Sequence, residues 1–246
     1  MITVLDLAKT FREVVAVAGV SFTAPPGRIT GFLGSNGAGK TTTMRILATL
    51  LRPSAGSATV AGYDVADSAE DVRRSIGLLT EETGLYDKMT PREQLRFFGS
   101  LYDLPAARVA RRVDELAETL GFEEFLDRRA GTLSKGNRQK VAVARALVHD
   151  PPVLLLDEPT SGLDLVAASA LEGVLTSEAL SAKTVLLSTH VAEEAARLCA
   201  GIVVIVHGRI VADGTPQEIV RDTESLDLRT ALVHLMNAEP PIGAQL

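Results

Sequence analysis

Gly34-Ser35-Asn36-Gly37-Ala38-Gly39-Lys40-Thr41-Thr42 constrains this chain more than any other stretch, because it spells G-x-x-x-x-G-K-T between a short apolar run and a helical pattern. Residues 29–33 read as a β-strand, and residues 43–51 carry apolar side chains at helical spacing. The loop therefore sits where a strand hands over to a helix N-terminus. Three glycines let successive backbone N–H groups curl toward one centre, and the helix dipole adds to the attraction for an anion. Lys40 would reach the β- and γ-phosphates of a bound nucleotide, and Thr41 offers a hydroxyl to Mg²⁺. The expected ligand is a nucleoside triphosphate with its metal. A chance glycine-rich match arises in about one chain in a hundred of this length, and the correct flanks make it rarer.

At 246 residues, 46% of them hydrophobic, the chain has material for one large α/β domain or two small ones. A formal net charge of −6 without a sustained Lys/Arg block argues against nucleic acid as the principal partner. Arg108, Arg111 and Arg112 form the densest basic cluster, opposite an apolar face of Val109, Val113, Leu116 and Leu120, and read as a solvated helix face. Cys199 stands alone, which excludes an internal disulfide and reads as a small core residue. No apolar run approaches the roughly 18 to 20 residues needed to cross a bilayer, and no signal-peptide pattern opens the chain. The chain is expected to be soluble.

Residues 2–5 and 14–22 read as β-runs separated by Lys9-Thr10-Phe11-Arg12, with a turn at Pro25-Pro26-Gly27. Further β-segments are expected at 57–65 and 76–79, followed by the polar break Glu81-Glu82-Thr83-Gly84. Thr90-Pro91-Arg92-Glu93 is a capping box with proline at the first helical position, and a second helix over 105–120 closes at Gly121. A helical subdomain of approximately residues 84–150 is thus inserted between strands. Apolar strands at 152–156, 184–188 and 202–206 then alternate with helices at 165–175 and 191–199, which implies a parallel sheet covered on both faces. The expected fold class is α/β: a P-loop NTPase core with a parallel sheet flanked by helices, an N-terminal antiparallel β region and the inserted helical subdomain. A tail, residues 226–246, offers one short helix over 228–236, then Pro240-Pro241 and a loose end.

Val153-Leu154-Leu155-Leu156-Asp157-Glu158 is a buried-strand sequence ending in two adjacent carboxylates, which strand propensity does not explain. Asp157 suits the metal, directly or through its water shell. Glu158, one residue on, points elsewhere and can orient or deprotonate a water attacking the γ-phosphate.

Leu133-Ser134-Lys135-Gly136-Asn137-Arg138-Gln139 precedes this pair, Pro159-Thr160-Ser161-Gly162-Leu163-Asp164 follows it, and Ser188-Thr189-His190 closes the next strand. With these motifs in this order, the chain resembles the nucleotide-binding subunit of ATP-binding cassette (ABC) transporters over nearly its whole length. The resemblance implies an ATPase with ATP and Mg²⁺ as ligands, residues 1–225 forming the ATP-binding domain. It implies that the loop Gly34 to Thr42 holds ATP, that Phe11 stacks on the adenine unless it is ordinary core, and that Lys40, Glu158 and His190 serve catalysis. Ser134 and Gly136 would contact ATP bound to a second copy in a head-to-tail dimer, and Asp164 would lie across that interface. Ser134 also reads as the N-cap of a helix running to residue 149. Lys135 and Asn137 stand where the family usually has Gly and Gln. Glu81, with Thr80 as an offset alternative, stands where the family places a metal-side Gln, joining Thr41 and Asp157.

Thr83-Gly84-Leu85-Tyr86-Asp87 and Phe97-Phe98-Gly99 are similar to sodium-extrusion and drug-export members. That implies a separate integral membrane permease subunit, received near residues 81–86, and a peripheral location on the cytoplasmic face of the membrane. A soluble ABC-superfamily ATPase not coupled to transport is the alternative, and a P-loop kinase would not need the motifs at 133–139 and 188–190.

Overall fold

Alternation along the central strands sets the architecture. In the computed structural model, which describes residues 1–177 and 180–237, β3 (Arg28–Leu33), β6 (Ile76–Leu79), β7 (Val153–Asp157), β8 (Thr184–Thr189) and β9 (Gly201–Val206) are parallel. β10 (Arg209–Gly214) adds an antiparallel edge, giving the order β10-β9-β3-β8-β7-β6. Every residue of β7 and β8 is buried, so both faces of these strands are covered, as the apolar runs at 153–156 and 185–187 require.

Odd and even positions then meet different partners. Leu154, Leu156, Val185, Leu187, Ile202 and Val204 face one core, built with Val113 and Leu116 of α4 (Ala106–Leu120), Ala142 and Leu147 of α5 (Lys135–Leu147), and Ala195 of α7 (Ala192–Leu198). Val153, Leu155, Leu186, Val203 and Ile205 face the other, built with Met44 and Ile46 of α1 (Lys40–Leu47) and with Ile2, Val4, Val17 and Phe22. Each fully buried leucine contributes roughly 1.5–3 kcal/mol. The second face is therefore shared between α1 and an antiparallel sheet, β2 (Val14–Ala24), β1 (Ile2–Phe11), β4 (Ala55–Val60) and β5 (Tyr63–Asp64), rather than covered by helices alone. Phe22 stacks on Phe32 with centroids 5.1 Å apart, joining the two sheets.

Several boundaries differ from the expectations above. β1 continues through Phe11, past the expected break, because a bulge at Asp6 (φ 46°) absorbs the irregular alternation between Val4 and Leu7. The region 57–65 divides into β4 and β5 around Gly62 (φ 89°). α1 starts at Lys40 and ends by Leu47, with Thr49 (φ 60°) leaving the helix. A short helix, α2 (Ala69–Ser75), was not expected: it buries only Val72 and so shows no apolar stripe, although its early acids and late arginines match the helix dipole.

Between β6 and β7 lie α3 (Pro91–Ser100), capped by the Thr90–Glu93 box, then α4, closed by Gly121 in the left-handed conformation, then α5. Arg108 and Arg111 are exposed, whereas Arg112 is half-buried and pairs with Glu115 and Asp150. Cys199 is buried among α7 and β9, and burial pushes its thiol up to about 12. α6 (Leu165–Leu175) and α8 (Pro216–Asp222) complete the helical cover, and α9 (Leu228–Asn237) packs Leu228, Ala231 and Leu232 into the same core as β9. Pro240-Pro241 and the expected loose end lie outside the described residues. Among the described residues no helix is long and apolar enough to cross a membrane.

Candidate active site

Parallel register brings the sequence motifs to one edge. Leu33 pairs with Thr189, Asp157 with Ser188 and Leu79 with Leu156, so the residues that follow β3, β8, β7 and β6 emerge side by side at the strands' carboxyl ends. That edge is where open parallel sheets bind ligands.

The loop from Gly34 to Gly39 crosses from β3 into α1. Gly39 takes φ 110° and a Cβ there would lie 2.6 Å from the Ala16 carbonyl oxygen, so only glycine fits. α1 has no side-chain cap, which leaves its first N–H groups for an anion. Lys40 is 6% exposed. Its Nζ donates to the carbonyl oxygens of Gly34 at 2.8 Å and Ser35 at 3.3 Å, and lies 3.5 Å from Glu158 Oε1.

Asp157 ends β7 and is buried, with Oδ1 accepting a 2.6 Å hydrogen bond from Ser188 Oγ. Glu158 leaves the strand in the left-handed region, φ 51°, its N–H donating to the Ser188 carbonyl at 3.0 Å. Such a backbone costs on the order of 1–3 kcal/mol and turns adjacent carboxylates apart. Glu158 Oε2 lies 2.8 Å from His190 Nδ1, while Oε1 is buried with no hydrogen-bond partner. The two oxygens are thus inequivalent. One is tied to the imidazole, and the other has only the ion contact to Lys40.

Ser35, Asn36, Gly37, Gly39, Lys40, Thr41, Thr42, Glu81, Glu158 and His190 line one cleft of about 350 Å³, to which Ala16 and Ser161 also contribute. Thr41, Asp157 and Glu81 border an adjoining cleft of about 260 Å³. Ser134, Gly136, Asp164 and Phe11 line neither. Ser134 caps α5, accepting from Asn137 N–H at 3.3 Å, and Asp164 caps α6, accepting from Ala167 N–H at 2.9 Å. Beside Asp164, Leu165 and Val166 are 85% and 80% exposed. Phe11 is exposed near the β1–β2 turn with Lys9 Nζ 5.1 Å from its ring centre, so it is not core. Lys135 lies over Gly162 and lines a groove of about 620 Å³ with Glu81, Glu82, Thr83 and Leu85.

Residues 17–161 match the ABC transporter family. The chain belongs to the ABC transporter family. It is 41% identical over 233 residues to the ABC transporter ATP-binding protein NatA of Bacillus subtilis (strain 168), covering 93% of this chain and 95% of that one. It is 40% identical over 220 residues to a Nod factor export ATP-binding protein I of Ralstonia nicotianae, covering 89% and 68%. Its fold superposes on the solved ATP binding subunit of an ABC transporter with a TM-score of 0.87 at 32% identity, over 96% of this chain and all of that one. The chain is an ATP-binding and ATP-hydrolysing ABC subunit.

Three supporting contacts in this ABC subunit escaped the sequence reading. Arg145 of α5 donates to the carbonyl oxygens of Thr83 and Gly84, both at 2.8 Å, and covers the Phe98 ring, so it holds the loop that carries Glu81. Gln139 Nε2 donates to the Pro159 carbonyl at 2.6 Å. Glu194 accepts from Thr160 Oγ1 at 2.7 Å. A carboxylate within the apolar stripe Ala192, Ala195, Leu198 was the available signal for the last.

Proposed function

We propose that this ABC ATPase powers export through a separate integral membrane subunit, working as a head-to-tail pair of copies at the cytoplasmic face of the membrane. The observation that carries the hydrolytic assignment is the meeting of Lys40, Glu158 and His190 in one cleft at the ends of β3, β7 and β8. Export is supported by the name of the Nod factor relative. Pairing is supported by Ser134, Gly136 and Asp164, which sit outside their own chain's cleft beside exposed Leu165 and Val166 and so suit the ATP of a second copy. Phe11, exposed with the Lys9 ammonium over its ring, suits an adenine ring.

The donors at the cleft edge fit Mg²⁺. Thr41, Asp157 and Glu81 offer oxygen only, the ligand set a small hard cation takes. Bound there, Mg²⁺ would neutralise charge on the transferring phosphoryl group. Among the described residues no three His, Cys, Asp or Glu side chains gather to hold a metal, so these donors suit an ion shared with phosphate oxygens.

The remaining chemistry belongs to the chain. A γ-phosphate draws Lys40 Nζ away from Glu158, because a multiply charged anion outweighs one carboxylate. Glu158 Oε1 is then the free oxygen that orients the attacking water and accepts its proton, with Oε2 kept in place by His190. The groove of Glu81 to Leu85, flanked by exposed Tyr86 with Phe97 against it, suits the cytoplasmic segment of the membrane subunit.

Purification of tagged protein from native membranes tests the assembly. An accompanying integral membrane protein supports the export reading, and recovery without one favours a soluble ATPase. Glu158→Gln with MgATP tests pairing, since slowed hydrolysis should accumulate a dimer on size-exclusion chromatography, and a species that stays monomeric at high concentration counts against it.

A further inference from the structure

Glu194 is a carboxylic acid where an apolar side chain is the rule. α7 turns Ala192, Ala195 and Leu198 inward, and Glu194 lies among them with 2% of its surface exposed. Oε1 accepts from Thr160 Oγ1 at 2.7 Å, and Thr189 offers the carboxylate a second hydroxyl. Burial pushes the carboxyl up from its usual range; the Thr189 and Thr160 hydroxyls pull it back, and Glu158 and Glu172 add to the rise. Among the described residues no ion pair reaches it. A buried acid kept at this cost needs a structural reason beyond packing.

The reason lies in what it joins. Thr160 belongs to the loop that leaves Glu158, and this loop is held from the opposite side by Gln139 through Pro159. His190 stands at the end of β8, just before α7, and meets Glu158 Oε2 at 2.8 Å. Together these contacts close a ring: Glu158 to His190, along α7 to Glu194, across to Thr160, and back through Pro159 to Glu158. Two sides of the ring are covalent chain. The other two are the His190 contact at the site and the Glu194 contact inside the protein.

We propose that Glu194 is a positioning residue for hydrolysis, tying the loop that follows Glu158 to the helix that follows His190. The proposal rests on the reading that Glu158 and His190 act on the attacking water. Without the tie, loop and helix move independently and the Glu158–His190 contact loses its geometry. Nucleotide binding survives, because the loop from Gly34 to Lys40 hangs on β3 and α1 and meets the ring through the Lys40–Glu158 ion contact, which a bound γ-phosphate displaces.

Steady-state ATPase kinetics of the full chain and ¹⁵N NMR of the His190 imidazole test it, using Glu194→Ala, Glu194→Gln and Thr160→Val. Glu194→Ala should lower kcat by about tenfold to a hundredfold while KM for ATP stays within about threefold. Glu194→Gln should restore most of the lost rate, since its amide oxygen still accepts from Thr160. Thr160→Val breaks the same tie from the loop side and should lower kcat similarly, with no further loss in the double variant Thr160→Val/Glu194→Ala. The His190 Nδ1 resonance should move in both tie-breaking variants and stay near its original position in Glu194→Gln. Should Glu194→Ala fail to fold, Thr160→Val decides alone. Unchanged kcat in a folded tie-breaking variant, or a fall in kcat with an unmoved His190 resonance, overturns the proposal. Wild-type turnover in Glu158→Gln would instead overturn the underlying role of Glu158, and this inference with it.

Discussion

Glu158 Oε2 and His190 Nδ1 stand 2.8 Å apart although 32 positions separate them in the chain. Parallel pairing of β7 with β8, with Asp157 opposite Ser188, delivers the two residues from adjacent strand ends. The left-handed turn at Glu158 then swings its side chain off the line of Asp157 and toward the imidazole. Glu158→Gln keeps that shape but removes the proton acceptor, so hydrolysis should fall about a hundredfold or more with ATP affinity nearly unchanged. Phosphate release and nucleotide titration on the same protein check it. Turnover within about threefold of wild type would refute the assigned role.

Lys40→Ala should damage binding as well as turnover. The ammonium group is the cation nearest the loop's anion site, and its loss also leaves Glu158 Oε1, already without a hydrogen bond, unopposed in a buried position. Removing one preorganised charge from such a site costs about a hundredfold to a thousandfold in rate. Equilibrium binding of a fluorescent ATP analogue and single-turnover hydrolysis separate the two effects. Wild-type affinity and rate together would contradict the loop assignment.

How much of this was legible depends on the scale of the interaction. The phosphate loop and the ends of β7 and β8 were readable because buried parallel strands carry continuous apolar runs, and Asp157-Glu158 and Ser188-Thr189-His190 end them. Ser134 was readable as a cap because capping is local. α2 was not, since a helix burying only Val72 leaves no periodic trace. Neither was the division of the second face between α1 and a β-sheet, because the alternation of Val153 and Leu155 is the same whatever covers it. Arg145 looks in sequence like any charged helix residue, and Glu194 stands out only by falling within the apolar stripe Ala192, Ala195, Leu198. Their burial is decided by the loops at 83–84 and 159–160, which arrive from far along the chain.

His149 should make stability depend on pH. Its Nε2 lies 2.9 Å from the Ile76 carbonyl and therefore carries the proton, its ring stacks on Tyr102 at 3.7 Å, and Nδ1 is buried without a partner. Burial, only partly opposed by the Ile76 hydrogen bond, pulls its pKa down to about 4. The unfolded chain takes up this proton near pH 6.5, about the free imidazole value. Between there and about 4 the unfolded state binds more protons, so stability falls as pH falls through that window. The loss should amount to on the order of 2 kcal/mol once partial exposure is allowed for. Denaturant unfolding at pH 7 and pH 5 should show a smaller decline for His149→Gln than for wild type. Equal declines would show that His149 does not titrate as a buried base.

Glu81 and Glu82 offer the sharpest contrast between neighbours. Both border the cleft with Thr41 and Asp157, but only Glu81 also lines the cleft of the phosphate loop. Glu82 instead gives its carbonyl oxygen to Thr80 Oγ1 at 2.7 Å, which shapes the turn. A glutamate at position 81 can ligate a divalent cation through oxygen, as a glutamine can, but its charge repels the γ-phosphate unless the cation or Lys40 screens it. Like charges a few ångströms apart in a half-open site cost on the order of 1–4 kcal/mol. Metal binding should thus be more strongly coupled to ATP binding here than a neutral side chain would make it. Glu81→Ala is expected to lower turnover several-fold and raise the Mg²⁺ concentration needed for half-maximal rate, about threefold or more, whereas Glu82→Ala should change either by less than about twofold. Glu81→Gln separates charge from ligation: it should keep the Mg²⁺ requirement near wild type while binding ATP more tightly when Mg²⁺ is absent. Mg²⁺ titrations of ATPase rate, with ATP binding measured in chelator, read each quantity. Equal small effects at positions 81 and 82 would assign the loop to docking alone and leave Thr41 and Asp157 as the metal-side residues.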